Sequence, residues 1–195
     1  MPARDYAAVK RALIKNLRKL RASPKLRENY YMAIAGITGG MGCGKSTAAG
    51  LFERRGFRRI DSDALVREVV LTAPEVVTSL KARFGASIIG HDGEVDRPAL
   101  GRRVFANDAD RLWLEELTHP LVYKQWREAF AAKPTTNWIV EVPLLFEKGL
   151  ENWFDFTVCV ACAAEEELAR LERPALPRVL AGQRISKQLA VRRKI

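Results

Sequence analysis

Short apolar runs alternate with longer segments of helical period along this chain, which predicts an α/β domain around a central parallel sheet. Residues 32–38 (M-A-I-A-G-I-T) are almost wholly apolar, as expected of a strand buried on both faces. Residues 47–52 predict a helix that runs into the charged Glu53, Arg54 and Arg55 and closes at Gly56. A second strand ends at Ile60, a third spans residues 138–143 and carries Glu141, and a fourth spans residues 156–160. Between residues 64 and 132 the pattern is mostly helical. There Leu117, Leu121, Val122, Trp126 and Phe130 form one apolar face, and His119 stands before Pro120 at an expected helix start. Residues 165–170 begin a further helix, and residues 183–193 suggest another.

Between the first strand and its helix lies G-G-M-G-C-G-K-S, residues 39–46, which fits the phosphate-loop pattern of Gly, four residues, then Gly-Lys-Ser. Each position has a physical task. Gly39, Gly42 and Gly44 permit backbone angles that bring main-chain N–H groups close to an anion. Lys45 supplies a point charge for the terminal phosphates, and the Ser46 hydroxyl suits Mg²⁺. Gly40, Met41, Cys43 and Thr47 complete the expected ATP-binding stretch, with the helix dipole directed at the same phosphates.

Composition adjusts this picture in a few respects. With 195 residues and 48% hydrophobic content, the chain is long enough for one folded domain with a substantial core. No apolar run is long enough to cross a bilayer, and no stable membrane association is expected. The net charge of +10 is concentrated: residues 1–31 hold nine Lys/Arg against two acids, and the remainder is only slightly basic. That slight excess suits polyanionic small molecules, and no nucleic-acid partner is expected, since the surplus lies outside the domain and aromatic stacking platforms are not evident. Three cysteines make no disulfide framework. Cys43 sits in the loop, where only a small side chain is needed, while Cys159 and Cys162 form a lone C-x-x-C expected to be buried at a strand end rather than to bind zinc. A reducing, cytoplasmic setting follows.

Residues 1–31 form a leader of their own. Tyr6, Val9, Leu13, Leu17 and Leu20 recur at helical spacing among basic residues, predicting an amphipathic helix stopped near Ser23 and Pro24. It fits a helix docked on the domain, a tail translated from a start upstream of Met32, or a targeting, membrane or nucleic-acid contact.

Chemistry beyond nucleotide binding enters at F-R-R-I-D-S-D, residues 57–63. Asp61 and Asp63 follow a strand end, where ligand groups collect in open parallel sheets. A carboxylate there is suited to take the proton of an attacking hydroxyl, and the spacing lets one aspartate face substrate while the other caps the next helix. Asp63 is assigned the chemistry and Asp61 the cap. Glu141, carried by the third strand, suits either Mg²⁺ ligation through water or a structural hydrogen bond to the phosphate loop.

Taken together, I-T-G-G-M-G-C-G-K-S-T at 37–47, I-D-S-D at 60–63, F-G-A-S-I-I at 84–89, D-G-E-V-D-R at 92–97, V-F-A-N at 104–107, T-H-P-L at 118–121 and E-V-P-L-L-F-E at 141–147 resemble the dephospho-coenzyme A kinase family. The resemblance runs from Met32 to the end of the chain. It implies a P-loop NTPase three-layer α/β fold, with a helical acceptor-binding insertion over residues 64–132 and a lid over residues 170–182. It also implies transfer of the ATP γ-phosphoryl group to the ribose 3′-hydroxyl of dephospho-coenzyme A, with Mg²⁺ as companion ion. Asp63 matches the catalytic aspartate of that family. Arg67, Arg97 and His119 fall where acceptor contacts are implied, and Arg170 and Arg173 fall in the implied lid.

The chain departs from the family pattern in two places. One residue fewer separates the lid arginines, and Pro174 stands where an Asp is usual. The family pattern also continues beyond Ile195 with a last strand, an adenine-side loop and a terminal helix, so a four-stranded sheet with an open edge is expected here. A piece of a longer chain and a shortened variant both fit. The rival functional readings are a P-loop kinase for another small hydroxyl acceptor, a catalytically impaired nucleotide-binding or interaction protein, and a nucleic-acid-dependent ATPase, which would want a basic groove across the domain. Nothing in the sequence specifies an oligomeric state.

Overall fold

The computed structural model describes residues 32–163 and Glu166. The leader helix expected within residues 1–31, the implied lid with Arg170 and Arg173, most of the helix expected from residue 165 and the helix expected over residues 183–193 lie outside the described residues. The described residues divide into two compact units, one made of those up to Arg59 and from Lys133 onward, the other of Ile60–Ala132.

The first unit is built on β1 (Ile34–Gly39), with β3 (Trp138–Glu141) and β4 (Phe156–Val160) running parallel to it on either side. With β2 (Arg58–Asp61), the sheet has the order β2-β3-β1-β4 among the described residues. Burial follows this order. β3 is buried at every position and β1 at all but Ile34, while β2 and β4 are only partly covered. The apolar run of the first strand is therefore that of a central strand.

Helix α1 (Lys45–Glu53) packs Ala48, Ala49 and Phe52 against Ala35, Ile37 and Ile139 of the sheet. Small residues let the helix approach closely, and Phe52 fills the remaining space with its ring edge-on to Phe57 at 5.2 Å. Burying each such large side chain contributes about 1.5–3 kcal/mol. The helix ends at Glu53, and Gly56 takes a positive φ of 89° in the turn that follows.

The second unit is helical. A short helix α2 (Ser62–Leu65) passes into a π-helical stretch at Val66–Val70, followed by α3 (Pro74–Phe84), α4 (Arg97–Ala106) and α5 (Asp108–Ala132). Side-chain caps start three of these helices: Asp61 Oδ1 accepts from the Ala64 N–H at 3.0 Å, Asp96 Oδ1 from the Ala99 N–H at 3.0 Å and Asn107 Oδ1 from the Asp110 N–H at 3.3 Å. Asp110, itself buried, accepts from Arg83 at 3.1 Å and Arg103 at 3.2 Å, tying α3, α4 and α5. Arg83 also lies over Trp113, 5.1 Å from the ring centre.

The structure corrects the expected helix start at His119. Helix α5 runs unbroken from Asp108 to Ala132, so His119 and Pro120 sit in mid-helix. A proline there removes one backbone donor and costs about 3 kcal/mol. Tertiary packing outweighs that cost: Thr118, Val122, Trp126 and Phe130, four residues apart, form the buried stripe of α5. Thr118 Oγ1 also donates to the Leu114 carbonyl at 2.8 Å. Leu117 and Leu121, expected on that face, are half-buried at its margin.

Candidate active site

β1 ends at Gly39 and the chain turns through Gly40–Gly44 before α1 begins. Gly39 has φ 146°, and a Cβ there would stand 2.1 Å from the Val160 carbonyl oxygen, so β4 passes too close for any side chain. Gly44, at φ 93°, makes the left-handed step into the helix. Within the loop the Cys43 N–H donates to the Gly40 carbonyl at 3.3 Å. No side chain caps α1, in contrast to the aspartate caps of α2 and α4. Its first turn is thereby suited to an anion.

The Lys45 ammonium lies back across the loop, donating to the carbonyls of Gly39 at 3.2 Å and Gly40 at 3.0 Å. Ser46 and Thr47 are exposed in the first helical turn. From Ser46 the hydroxyl donates to Glu141 Oε2 at 3.1 Å, and Arg59 Nε donates closely to Glu141 Oε1. Glu141 is only 4% exposed. A carboxylate so enclosed needs a counter-charge, and Arg59 provides it. The same guanidinium lies 3.8 Å from Glu53 at the end of α1. Glu141 reaches the loop because it is the last residue of β3 and stands in register with Ile37. Thr38, fully buried, donates to the Pro143 carbonyl at 3.1 Å and ties the ends of β1 and β3.

The first unit therefore brings together residues 39–47 and Glu141. Of the two roles open to Glu141, the hydrogen bond to the loop is present, and a hydroxyl beside a buried carboxylate is also the hard oxygen set that Mg²⁺ favours. Arg59 went unnoticed in the sequence. Its only signal was a charged residue inside a short strand, two positions before Asp61.

In the second unit Asp61 is the N-cap, as expected, and Asp63 lies exposed in the first turn of α2. Arg67 is exposed in the π-helical stretch, a local geometry frequent at functional sites, and Arg97 is exposed at the start of α4. His119 is half-buried in α5, its ring 5.9 Å from that of Tyr123. Burial, with Glu115 nearby, raises the Tyr123 phenol above its ordinary pKa, so it stays protonated at neutral pH.

The cysteines also need correction. Cys159 and Cys162 are half-buried rather than buried, and Cys162 Sγ lies 3.0 Å from Cys43 Sγ in the phosphate loop.

A parallel sheet whose central strand feeds a glycine loop, with Lys45 and Ser46 opening the next helix and an acid at the end of the adjacent strand, defines a P-loop nucleotide-binding protein of the phosphotransferase kind. Residues 33–195 match the family model for dephospho-CoA kinase, and the chain belongs to that family. It is 40% identical over 162 residues to dephospho-CoA kinase of Thermosynechococcus vestitus, an alignment covering 82% of this chain and 80% of that one. With the enzyme of the same name from Anaeromyxobacter dehalogenans it shares 38% over 167 residues, covering 84% and 79%. Among solved structures, TT1252 from Thermus thermophilus superposes with a TM-score of 0.73 at 34% identity, covering 84% of each chain. Dephospho-CoA kinase from Campylobacter jejuni gives 0.58 at 26% identity, covering 83% of this chain and 82% of that one.

Proposed function

We infer that the chain catalyses ATP-dependent phosphorylation of the ribose 3′-hydroxyl of dephospho-coenzyme A, giving coenzyme A and ADP. Membership of the family over residues 33–195 carries this reading, and the Lys45–Ser46–Glu141 arrangement supplies matching chemistry.

Phosphoryl transfer asks for alignment and charge neutralisation more than covalent help. The N–H groups of residues 39–47 hold the β- and γ-phosphates. Lys45 exchanges two carbonyl partners for phosphate oxygens, a stronger charge-assisted contact. Ser46, with Glu141 behind it, would hold Mg²⁺, and the ion would supply charge neutralisation for the phosphates. Arg59 holds Glu141 aimed at Ser46. Asp63 orients the 3′-hydroxyl and takes its proton. Arg67, Arg97 and His119 are assigned to the acceptor, and Arg170 or Arg173 to the charge that develops on the transferred group. The cytoplasm is the proposed location, in keeping with cysteines held as thiols. No helix among the described residues is long and apolar enough to cross a membrane.

The test is ADP release in a coupled assay with dephospho-coenzyme A, with no acceptor, and with other nucleosides. Turnover confined to dephospho-coenzyme A is expected. Acceptor-independent release, or none, overturns the reading, and preference for another hydroxyl compound reassigns the acceptor.

A further inference from the structure

Two cysteines 119 residues apart meet at the phosphate loop, with 3.0 Å between their sulfur atoms. The sheet accounts for the encounter. β1 and β4 are parallel neighbours in the register Thr38 to Cys159 and Gly39 to Val160, so the loops that leave them emerge side by side. Gly39 brings the two backbones closer still, since its missing Cβ leaves room for the Val160 carbonyl. Cys43 lies a few residues beyond the end of β1, and Cys162 just beyond the end of β4. A disulfide needs sulfur atoms about 2.05 Å apart, so closure asks for a contraction of roughly 1 Å.

We propose that Cys43 and Cys162 are an oxidative modification site, at which a peroxide-class oxidant forms a disulfide that closes the phosphate loop to nucleotide. Cys162, half-buried, is the accessible partner, and Cys43, 5% exposed, is the shielded one. Hydrogen peroxide oxidises the Cys162 thiol to a sulfenic acid and releases one water. The Cys43 sulfur then attacks the Cys162 sulfur, the S–O bond breaks, and a second water leaves with the Cys43 proton. The two thiols lose two electrons in all, and one peroxide becomes two waters. A dithiol reductant reverses the linkage by exchange.

The consequence for nucleotide comes from the loop geometry. A phosphate cradle works by holding successive N–H groups in one concave arrangement. Pulling Cys43 toward Cys162 displaces the middle of that arrangement and ties it to the segment after β4. This effect rests on the phosphate-loop reading, whereas the linkage itself does not.

The experiment takes the full chain, reduced and then exposed to hydrogen peroxide, with peptide mapping under non-reducing conditions and equilibrium ATP binding before and after. The map is expected to join the Cys43 and Cys162 peptides, and the ATP dissociation constant to rise by about tenfold or more, with recovery after dithiol treatment. Cys162→Ser keeps the reduced protein's ATP affinity and loses the oxidant response, whereas Cys159→Ser responds as the parent does. A map showing Cys159 joined to Cys162, or Cys162 sulfenic acid that never resolves, overturns the site. A Cys43–Cys162 link with unchanged ATP affinity overturns the closure. Should the reduced protein bind no ATP, the phosphate-loop reading and the closure fall together, and the linkage is still decided by the map. The map on the parent protein also decides it if Cys162→Ser misfolds.

Discussion

Ser46 Oγ donates to Glu141 Oε2 across 3.1 Å, joining the first turn of α1 to the last residue of β3. The pair is 95 residues apart in sequence, and the parallel register of β1 with β3 brings it together. Arg59 holds the other carboxylate oxygen, so the acid is both neutralised and aimed.

Glu141 is expected to serve stability and metal response separately. Glu141→Ala removes the partner of a partly enclosed guanidinium and is expected to cost about 2–4 kcal/mol in urea unfolding. Glu141→Gln keeps the Ser46 hydrogen bond, costs less, and raises the Mg²⁺ concentration needed for half-maximal turnover. If Glu141→Gln leaves the Mg²⁺ titration unmoved, the residue is structural only.

Lys45→Ala removes the ammonium drawn across the loop. ATP affinity falls and kcat drops by roughly 10²–10³-fold, as when other preorganised charges are removed from transition states. Calorimetric titration with ATP and steady-state assays check both. Affinity within error of the parent would show that the lysine does not reach phosphate.

Asp63 and Asp61 separate cleanly. Asp63→Asn retains ATP affinity and loses about 10²–10⁴-fold in kcat. Asp61→Ala loses the cap of α2, about 1 kcal/mol, which thermal unfolding reads out. The reverse pattern, with Asp63→Asn near normal in turnover, removes Asp63 from the chemistry.

Gly39→Ala combines a positive φ with a Cβ 2.1 Å from the Val160 carbonyl, which is main chain and unable to swing aside. A stability loss of roughly 2–4 kcal/mol is expected, together with impaired ATP binding. Gly56→Ala, where a Cβ meets nothing within 4 Å, isolates the cost of the backbone angle alone and should be about 1–2 kcal/mol.

Asp110 is the buried acid held between Arg83 and Arg103. Asp110→Ala is expected to destabilise by about 2–4 kcal/mol, and Asp110→Asn by less because it retains acceptor capacity. Both guanidinium groups keep substantial solvent contact, which limits the loss. Denaturant titration measures it.

The strands and the phosphate loop were legible because their signals are local. An unbroken apolar run marks β1, and the Gly-Lys-Ser spacing marks the start of α1, to within two residues of the observed ends. The Asp61 cap was equally local, since acceptor and donor stand three residues apart. Pro120 misled because proline normally opens a helix, and only the buried stripe of Val122, Trp126 and Phe130 keeps α5 continuous through it.

Sequence alone determined that a phosphate-gripping turn follows a buried strand, that acids follow a second strand and another is carried by a third, and that the whole resembles one kinase family. It did so because those features depend on residue type at fixed short spacing. Tertiary structure decided which distant groups meet: Arg59 and Ser46 on Glu141, the Val160 carbonyl on Gly39, and Cys162 on Cys43. The physical reason is strand order. Pairing β1 with β3 on one side and β4 on the other sets these neighbours, and no local spacing records which strands will lie side by side.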